Sequence, residues 1–258
     1  VVLEVVLTRG EHHLGTEHAV QRHRRGFWLA QGTAEHDNPR HAPAGFPAER
    51  DVHVSVPDDP LIFHITHVDN LAGIVREGGV WSDAQREERK LSSVNIGYRH
   101  IKARRRDRVV PVAAGGTLGQ YVPFNFCHRS VMLYVIHVGH DDYEGGQDEV
   151  VHLVSRAKAA IATGRPWAFT DRHADLAHAL FHDDLAHLGD VRWQVMEQEY
   201  WQGVKEERQA EFLVHEFFPW TAILGIGVRS ASVAERVEAI LAGQEHQPKV
   251  VVRPGWYY

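Results

Sequence analysis

Residues 61 to 79, LIFHITHVDNLAGIVREGG, commit the chain to a strand that feeds directly into a helix. Leu61, Phe63 and Ile65 alternate with Ile62, His64 and Thr66, and a period-two run rich in β-branched and aromatic residues is the pattern of a strand. Asp69 is the expected N-cap of the helix, Leu71, Ile74 and Val75 its apolar face, and Gly78-Gly79 its left-handed stop. Thr66, His67 and Asn70 therefore fall at the mouth of a strand-to-helix turn, where free N–H groups and the helix dipole favour an anion or a polar ligand. The same residue types also serve as caps, and a histidine there also fits a structural role, so the turn alone does not decide.

From Ser55 onward, strands and short helices alternate. A charged segment over 82–108 ends in RHIKARRRDR, with Arg104, Arg105, Arg106 and Arg108. Gly115 to Gly119 marks a turn, and Tyr121–Phe126 reads as a strand whose Pro123 favours an edge or a bulge. The continuous apolar run Val131–Val138 reads as a central strand. Further strands are expected over Glu149–Val154, Glu211–Phe217, Ile223–Val228 and Val250–Val252. Helices are expected from a Ser155 cap through Ala162, over Val191–Trp201 and over Val233–Leu241. Residues 164–190 show no clear period, and a connection that long is functional or partly helical. The pattern is that of an α+β chain with mostly antiparallel pairing and no internal repeat. Residues 8–57 scatter their apolar side chains at no period, so 1–54 are expected to be an extension, mobile or loosely packed. The Val start leaves open that part of it is upstream sequence outside the working protein.

Composition narrows the class. Cys127 is the one cysteine, which excludes an intrachain disulfide framework and a Cys-based zinc site and fits a reducing, cytoplasmic setting. A net charge of −6 argues against coating duplex DNA by bulk electrostatics but leaves room for a local basic groove. No apolar run approaches a membrane span, and Val1–Leu7 is broken by Glu4 and lacks a basic n-region, so neither membrane insertion nor export is expected.

Three more stretches can carry chemistry. Arg104–Arg106 supply planar, permanently charged donors suited to phosphate, although such a run also makes a solvated helix face. In YVPFNFCHRS, Tyr121 to Ser130, the aromatic rings either wall a slot for a flat heterocycle or fill the core. Glu211 sits among Ala210, Phe212 and Leu213 at the threshold of a buried strand, and buried acids are rare without a partner or a task. His173, His178, His182 and His187 place two imidazoles at i, i+4, but without HExxH or thiolate support no metal is expected. Cys127 lacks the context of a nucleophile, and there is no Walker A run or strand-linked GxGxxG.

Ile65 to Leu71 with Gly78-Gly79, the arginine-rich segment around Arg105, Gly119 to Phe126 with Arg129 to Tyr134, and Arg208 to Val214 together resemble the DarT family of bacterial DNA ADP-ribosyltransferase toxins. The resemblance spans residues 55–258. His64-x-Thr66 with Asn70, Ile74 and Gly78 is also similar to the first motif of poly(ADP-ribose) polymerases. The resemblance implies one ADP-ribosyltransferase-like domain, a split, mostly antiparallel sheet with flanking helices and NAD in its cleft. By motif, Ile65, Thr66 and His67 would hold the nicotinamide and its ribose, joined in cofactor binding by Asn70, Tyr121 and Arg105. Arg105 would also act in catalysis, with Arg104 and Arg106 each one residue from that assignment. Glu211 would be the catalytic glutamate, and the segment from about 170 to 210 the loop that presents substrate. Arg104, Arg106 and Arg108 are assigned to DNA. Asn125 and Cys127-His128 depart from the family pattern, where Tyr and Asn-Pro are more usual, and this touches the slot wall rather than the chemistry.

The implied reaction moves ADP-ribose from NAD, a co-substrate, without a metal, to a base of single-stranded DNA. Thymine is the base in the commoner branch and guanine the alternative. It would make a monomeric toxin that blocks replication and is reversed by a macrodomain antitoxin. A protein-directed mono-ADP-ribosyltransferase and a catalytically silent NAD- or nucleic-acid-binding module remain as rival readings; the presence of Glu211 favours an enzyme.

Overall fold

The computed structural model describes residues 55–258, and the extension expected over 1–54 lies outside the described residues. β1 (Leu61–His67) passes through a 3-10 turn into α1 (Leu71–Arg76), which ends at Gly78, held at φ 75°. β2 (Gly79–Trp81) follows, and the charged segment then folds as α2 (Asp83–Glu88) and α3 (Arg99–Asp107). Next come β3 (Tyr121–Asn125), α4 (Val131–Val138), β4 (Val150–Arg156) and α5 (Ala157–Ile161). β5 (Trp167–His173) and β6 (Phe181–His182) lead by way of 3-10 turns to β7 (Ala210–His215) and β8 (Phe217–Pro219). β9 (Gly225–Val228), α6 (Ala231–Leu241) and β10 (Lys249–Val252) close the chain. No helix among the described residues is long and apolar enough to cross a membrane.

The main sheet has the order β10-β9-β4-β1-β3-β7-β5-β6, with β2 and β8 paired apart from it. Every pairing is antiparallel except β9 with β10, as the α+β reading expects. The sheet is split at its middle. Seven residue pairs join β1 to β4, whereas across to β3 the register holds at Phe63–Asn125 alone. Pro123, expected at an edge, lies on a strand that is interior by order. The Gln120 carbonyl accepts from Glu216 N toward β7, so Pro123, on the opposite phase, turns its missing N–H toward the seam, where few bonds are asked of it.

The split shapes the core. On one face Ile62, Val122, Phe124, Leu153, Phe212 and Val214 form a continuous core that α1 and α6 cover through Leu71, Val233 and Val237. On the other face the apolar packing divides in two. Ile65 and Val150 pack under Leu133 and Ile136 of α4, while Tyr121, Leu213 and Ala168 pack with Val110 and Leu118. Phe63, Asn125 and Glu211, in register across β1, β3 and β7, mark the line between these two halves.

Four further sequence expectations are corrected. Val131–Val138 is α4, not a central strand: Ser130 Oγ accepts from Leu133 N at 3.2 Å, Gly139 stops the helix at φ 85°, and a short apolar run has no period that separates the two states. Ser155 caps nothing; it stays in β4 and donates to the Ala222 carbonyl, and the helix begins at Ala157. Val191–Trp201 holds only a 3-10 turn at Trp193–Met196. Its buried side chains, Val191, Trp193, Val195 and Met196, all lie in the first six residues, and those after Met196 are exposed or half-buried, so no apolar face continues along the segment. The first cap is His67 rather than Asp69, since His67 Nδ1 accepts from Asp69 N, and the Asp69 carboxylate pairs with Arg236.

One core histidine makes the fold sensitive to acid. His152 is fully buried on β4, with Nε2 donating to the His128 carbonyl at 2.9 Å, and burial pulls it down to about 4. His128 is likewise pulled to about 4 by burial, with Arg208 adding to the effect. Below the ordinary imidazole value the unfolded chain takes up protons that the folded chain refuses. The stabilisation is therefore complete above about pH 6.5 and is lost as pH falls toward 4, by about 3 kcal/mol for His152. Denaturant midpoints measured from about pH 7 down to about pH 4.5 are expected to fall along this window.

Candidate active site

Glu211 lies on β7 between Ala210 and Phe212, both fully buried, and is itself only 5% exposed. An isolated carboxylate there would be costly, and the chain surrounds it with donors. Arg105 Nη1 donates to both carboxylate oxygens, at 3.0 and 2.9 Å, and Ala174 N donates to Oε1 at 3.3 Å. Glu211 N donates to Thr170 Oγ1 on neighbouring β5, which fixes the backbone behind the carboxylate. His173 Nε2 stands 3.9 Å from Oε1; burial holds this imidazole below its ordinary value, against the pull of Glu211, and favours its neutral form.

Arg105 comes from α3, and its side chain is 12% exposed. Its Nη2 is buried with no hydrogen-bond partner among the described residues. A donor in that condition is unusual, because buried polar groups are nearly always paired. Helical spacing explains what the neighbours do. Arg104 and Arg108, four apart, face the 174–177 segment: Arg104 Nε donates to Asp175 Oδ2 at 2.6 Å, and Arg108 Nη2 to the Leu176 carbonyl at 2.7 Å. Arg106 turns instead to Glu87 of α2.

The turn after β1 forms a second cluster. Asn70 Nδ2 donates to Thr66 Oγ1 at 3.0 Å and to the Val94 carbonyl at 2.9 Å, and its Oδ1 accepts from Val94 N at 2.8 Å. Asn70 thus clamps a loop across the turn, and Thr66 and His67 are buried beneath. Ile65 and His67 share the sheet face of Phe63, hence of Glu211, while Thr66 alternates to the other. Two interstrand spacings, about 10 Å, separate Phe63 from Glu211 across the seam.

Tyr121 is almost wholly buried in the second half-core, its hydroxyl donating to the Gly115 carbonyl at 2.8 Å. Phe124 and Phe126 fill the main core, so of the two roles open to the aromatic strand these rings take the second. Asn125 remains at the seam, with Nδ2 reaching the Phe63 carbonyl at 3.5 Å. Cys127 is buried, its thiol pushed up to about 11, and is no nucleophile.

Of the residues singled out by sequence, Arg105 and Glu211 touch, Thr66, His67 and Asn70 form one cluster with Ile65 beside it, and Tyr121, Arg104, Arg106 and Arg108 are held by other partners. Sequence reasoning missed Thr170 and Ala174, and singled out His173 only as one of a histidine run without a place beside Glu211. They reach Glu211 through β5–β7 pairing across a long loop, which no local pattern encodes. The histidine-rich segment divides: His173 joins Glu211, His178 Nε2 lies 3.2 Å from Glu206, and His182 and His187 stack together.

Residues 63–258 match the family model described as "DarT: ssDNA thymidine ADP-ribosyltransferase, DarT". A DNA ADP-ribosyl transferase of Thermus aquaticus is 44% identical over 207 residues, covering 80% of this chain and 92% of its own. Among solved structures, Thermus sp. 2.9 DarT in complex with ADP-ribosylated ssDNA aligns with a TM-score of 0.74 at 42% identity, over 78% of this chain and 98% of that one. Thermus sp. 2.9 DarT in complex with NAD+ aligns with a TM-score of 0.71 at 40% identity, over 78% and 99%.

Proposed function

Because the chain belongs to the DarT family of NAD-dependent DNA ADP-ribosyltransferases, we propose that it attaches ADP-ribose from NAD to thymine in single-stranded DNA, as the toxin of a toxin–antitoxin pair. The observation that carries the reading is the buried Glu211 carboxylate, gripped through both oxygens by Arg105 at the seam of the split sheet. Relatives of known structure that hold NAD+ and ADP-ribosylated ssDNA support it.

Cleavage of the nicotinamide–ribose bond leaves its electron pair on nicotinamide and positive charge on the ribose C1 and ring oxygen. Glu211, desolvated and fixed by Ala174 and Thr170, stabilises that cation. The ring nitrogen of thymine then bonds to C1 and gives up its proton, which Glu211 or water relays. Arg105 stabilises the nascent base anion; it is no general base, since a guanidinium stays protonated in water. Ile65 and His67, on the face of Glu211, hold the nicotinamide and its ribose, Thr66 joins them through its main chain with its side chain tied to Asn70, which clamps the turn, and Tyr121 backs the opposite wall. The transfer itself needs no metal.

An unpaired base suits this chemistry because pairing hides the reacting nitrogen. Arg104 and Arg106, both half exposed, exchange Asp175 and Glu87 for DNA phosphates, which makes binding sensitive to salt. Arg108 assists by holding the 174–177 segment. Residues 55–258 carry the reaction as a monomer in the cytoplasm, with 1–54 as an extension. The modified thymine blocks replication until a macrodomain antitoxin removes it.

Incubation with labelled NAD and either a thymine oligonucleotide or a protein mixture tests the reading. Label is expected on the oligonucleotide. Label on protein supports a protein-directed transferase, and label on neither supports a silent binding module.

A further inference from the structure

His182, His187 and Asp190 each place one ligand atom within 4.8 Å of the other two. His182 ends β6, which pairs with β5 through Phe169–His182. His187 and Asp190 lie on the 3-10 turn Leu185–Asp190, where residues three apart eclipse and so face the same way. The turn is capped by Asp184, whose Oδ1 accepts from Ala186 N at 3.0 Å. The two imidazoles stack at 14° with centroids 4.7 Å apart, and Phe169 backs the inner one at 5.1 Å. Asp190 Oδ2 is 3.2 Å from His182 Nε2 and 3.6 Å from His187 Nδ1.

Two features set this cluster apart from a surface ion pair. His182 Nε2 is shut off from solvent and makes no hydrogen bond among the described residues; its line to Asp190 has the distance of a bond without the direction. The two nitrogen–oxygen separations also bracket the edge of a tetrahedron around zinc, about 3.3 Å for ligands about 2.0 Å from the ion. Helical spacing in the sequence pairs the wrong histidines, and the third ligand is a carboxylate that such a search passes over.

We propose that His182, His187 and Asp190 bind one divalent transition-metal ion of the zinc class, as a structural staple between β6 and the turn that follows it. Two imidazole nitrogens and one carboxylate oxygen suit a borderline ion such as Zn2+, with water in the fourth position. His187 and Asp190 are 57% and 47% exposed in their side chains, so the ion has an entry path. The staple ties the turn to β6, which pairs with β5, the strand whose Thr170 braces Glu211. This inference is independent of the transferase reading.

Zn2+ titration of the tag-free full chain by calorimetry, paired with thermal unfolding, tests it. The wild type is expected to show a site with a Kd of about 10 µM or tighter. Asp190→Asn and His187→Ala should each weaken that site at least about tenfold and remove the Zn2+-dependent rise in Tm. His178→Ala, on the same segment, should change neither. Both substituted side chains are on the surface, so the variants are expected to fold. The proposal is overturned if the wild type binds no Zn2+ in this range, or if uptake and Tm shift persist unchanged in His187→Ala and Asp190→Asn.

Discussion

Glu211→Gln is expected to lower the rate of DNA ADP-ribosylation about 10³-fold or more while NAD still binds, because Gln keeps the shape of the side chain and removes only its charge. The wild-type carboxylate is buried and held by two donors, Arg105 Nη1 and Ala174 N, so on this account its charge meets the ribose cation without the screening that water would impose. Loss of that charge also leaves Arg105 without a counter-ion at 12% exposure, and breaking such a pair from one side typically costs about 3–5 kcal/mol. A fall in Tm should therefore accompany the fall in rate. Rates normalised to folded protein, with NAD affinity measured alongside, separate the two effects. A Glu211→Gln chain that is fully folded and fully active removes the carboxylate from the chemistry.

Arg105→Lys should retain activity, reduced about tenfold, with an ordinary pH profile, whereas Arg105→Ala should fall about 10³-fold. Lysine supplies the positive charge but not a guanidinium, whose Nη1 spans both Glu211 oxygens while Nη2 is buried without a hydrogen-bond partner among the described residues. The comparison decides what Arg105 is for. If a cation beside the base anion is sufficient, Lys rescues; an inactive Arg105→Lys that still binds NAD indicates that the arginine has a role charge alone cannot fill.

What the sequence revealed follows from how local each signal is. β1 and the Gly78 stop are written in adjacent residues, and Glu211 is conspicuous because an acid inside an apolar strand is chemically expensive. Arg105 was reachable as a member of a run, but only the packing of α3 tells it from Arg104 and Arg106. Apolar runs misled where burial follows tertiary contacts rather than a period: Val131–Val138 is a helix because Ser130 and Gly139 bound it, and Val191–Trp201 is not one because its buried side chains stop at Met196. His173 and Thr170 meet Glu211 only when β5 and β7 come together, so their surroundings are a property of the topology.

The shared cleft is most directly examined by solving the crystal structure of the Glu211→Gln chain with NAD bound. The ribose C1 is expected within about 3–4 Å of the residue 211 side chain, with the nicotinamide against Ile65, Thr66 and His67 across the β1–β3 seam. NAD bound elsewhere, or bound with its C1 remote from residue 211, would contradict both the assignment of Glu211 and the site built around it.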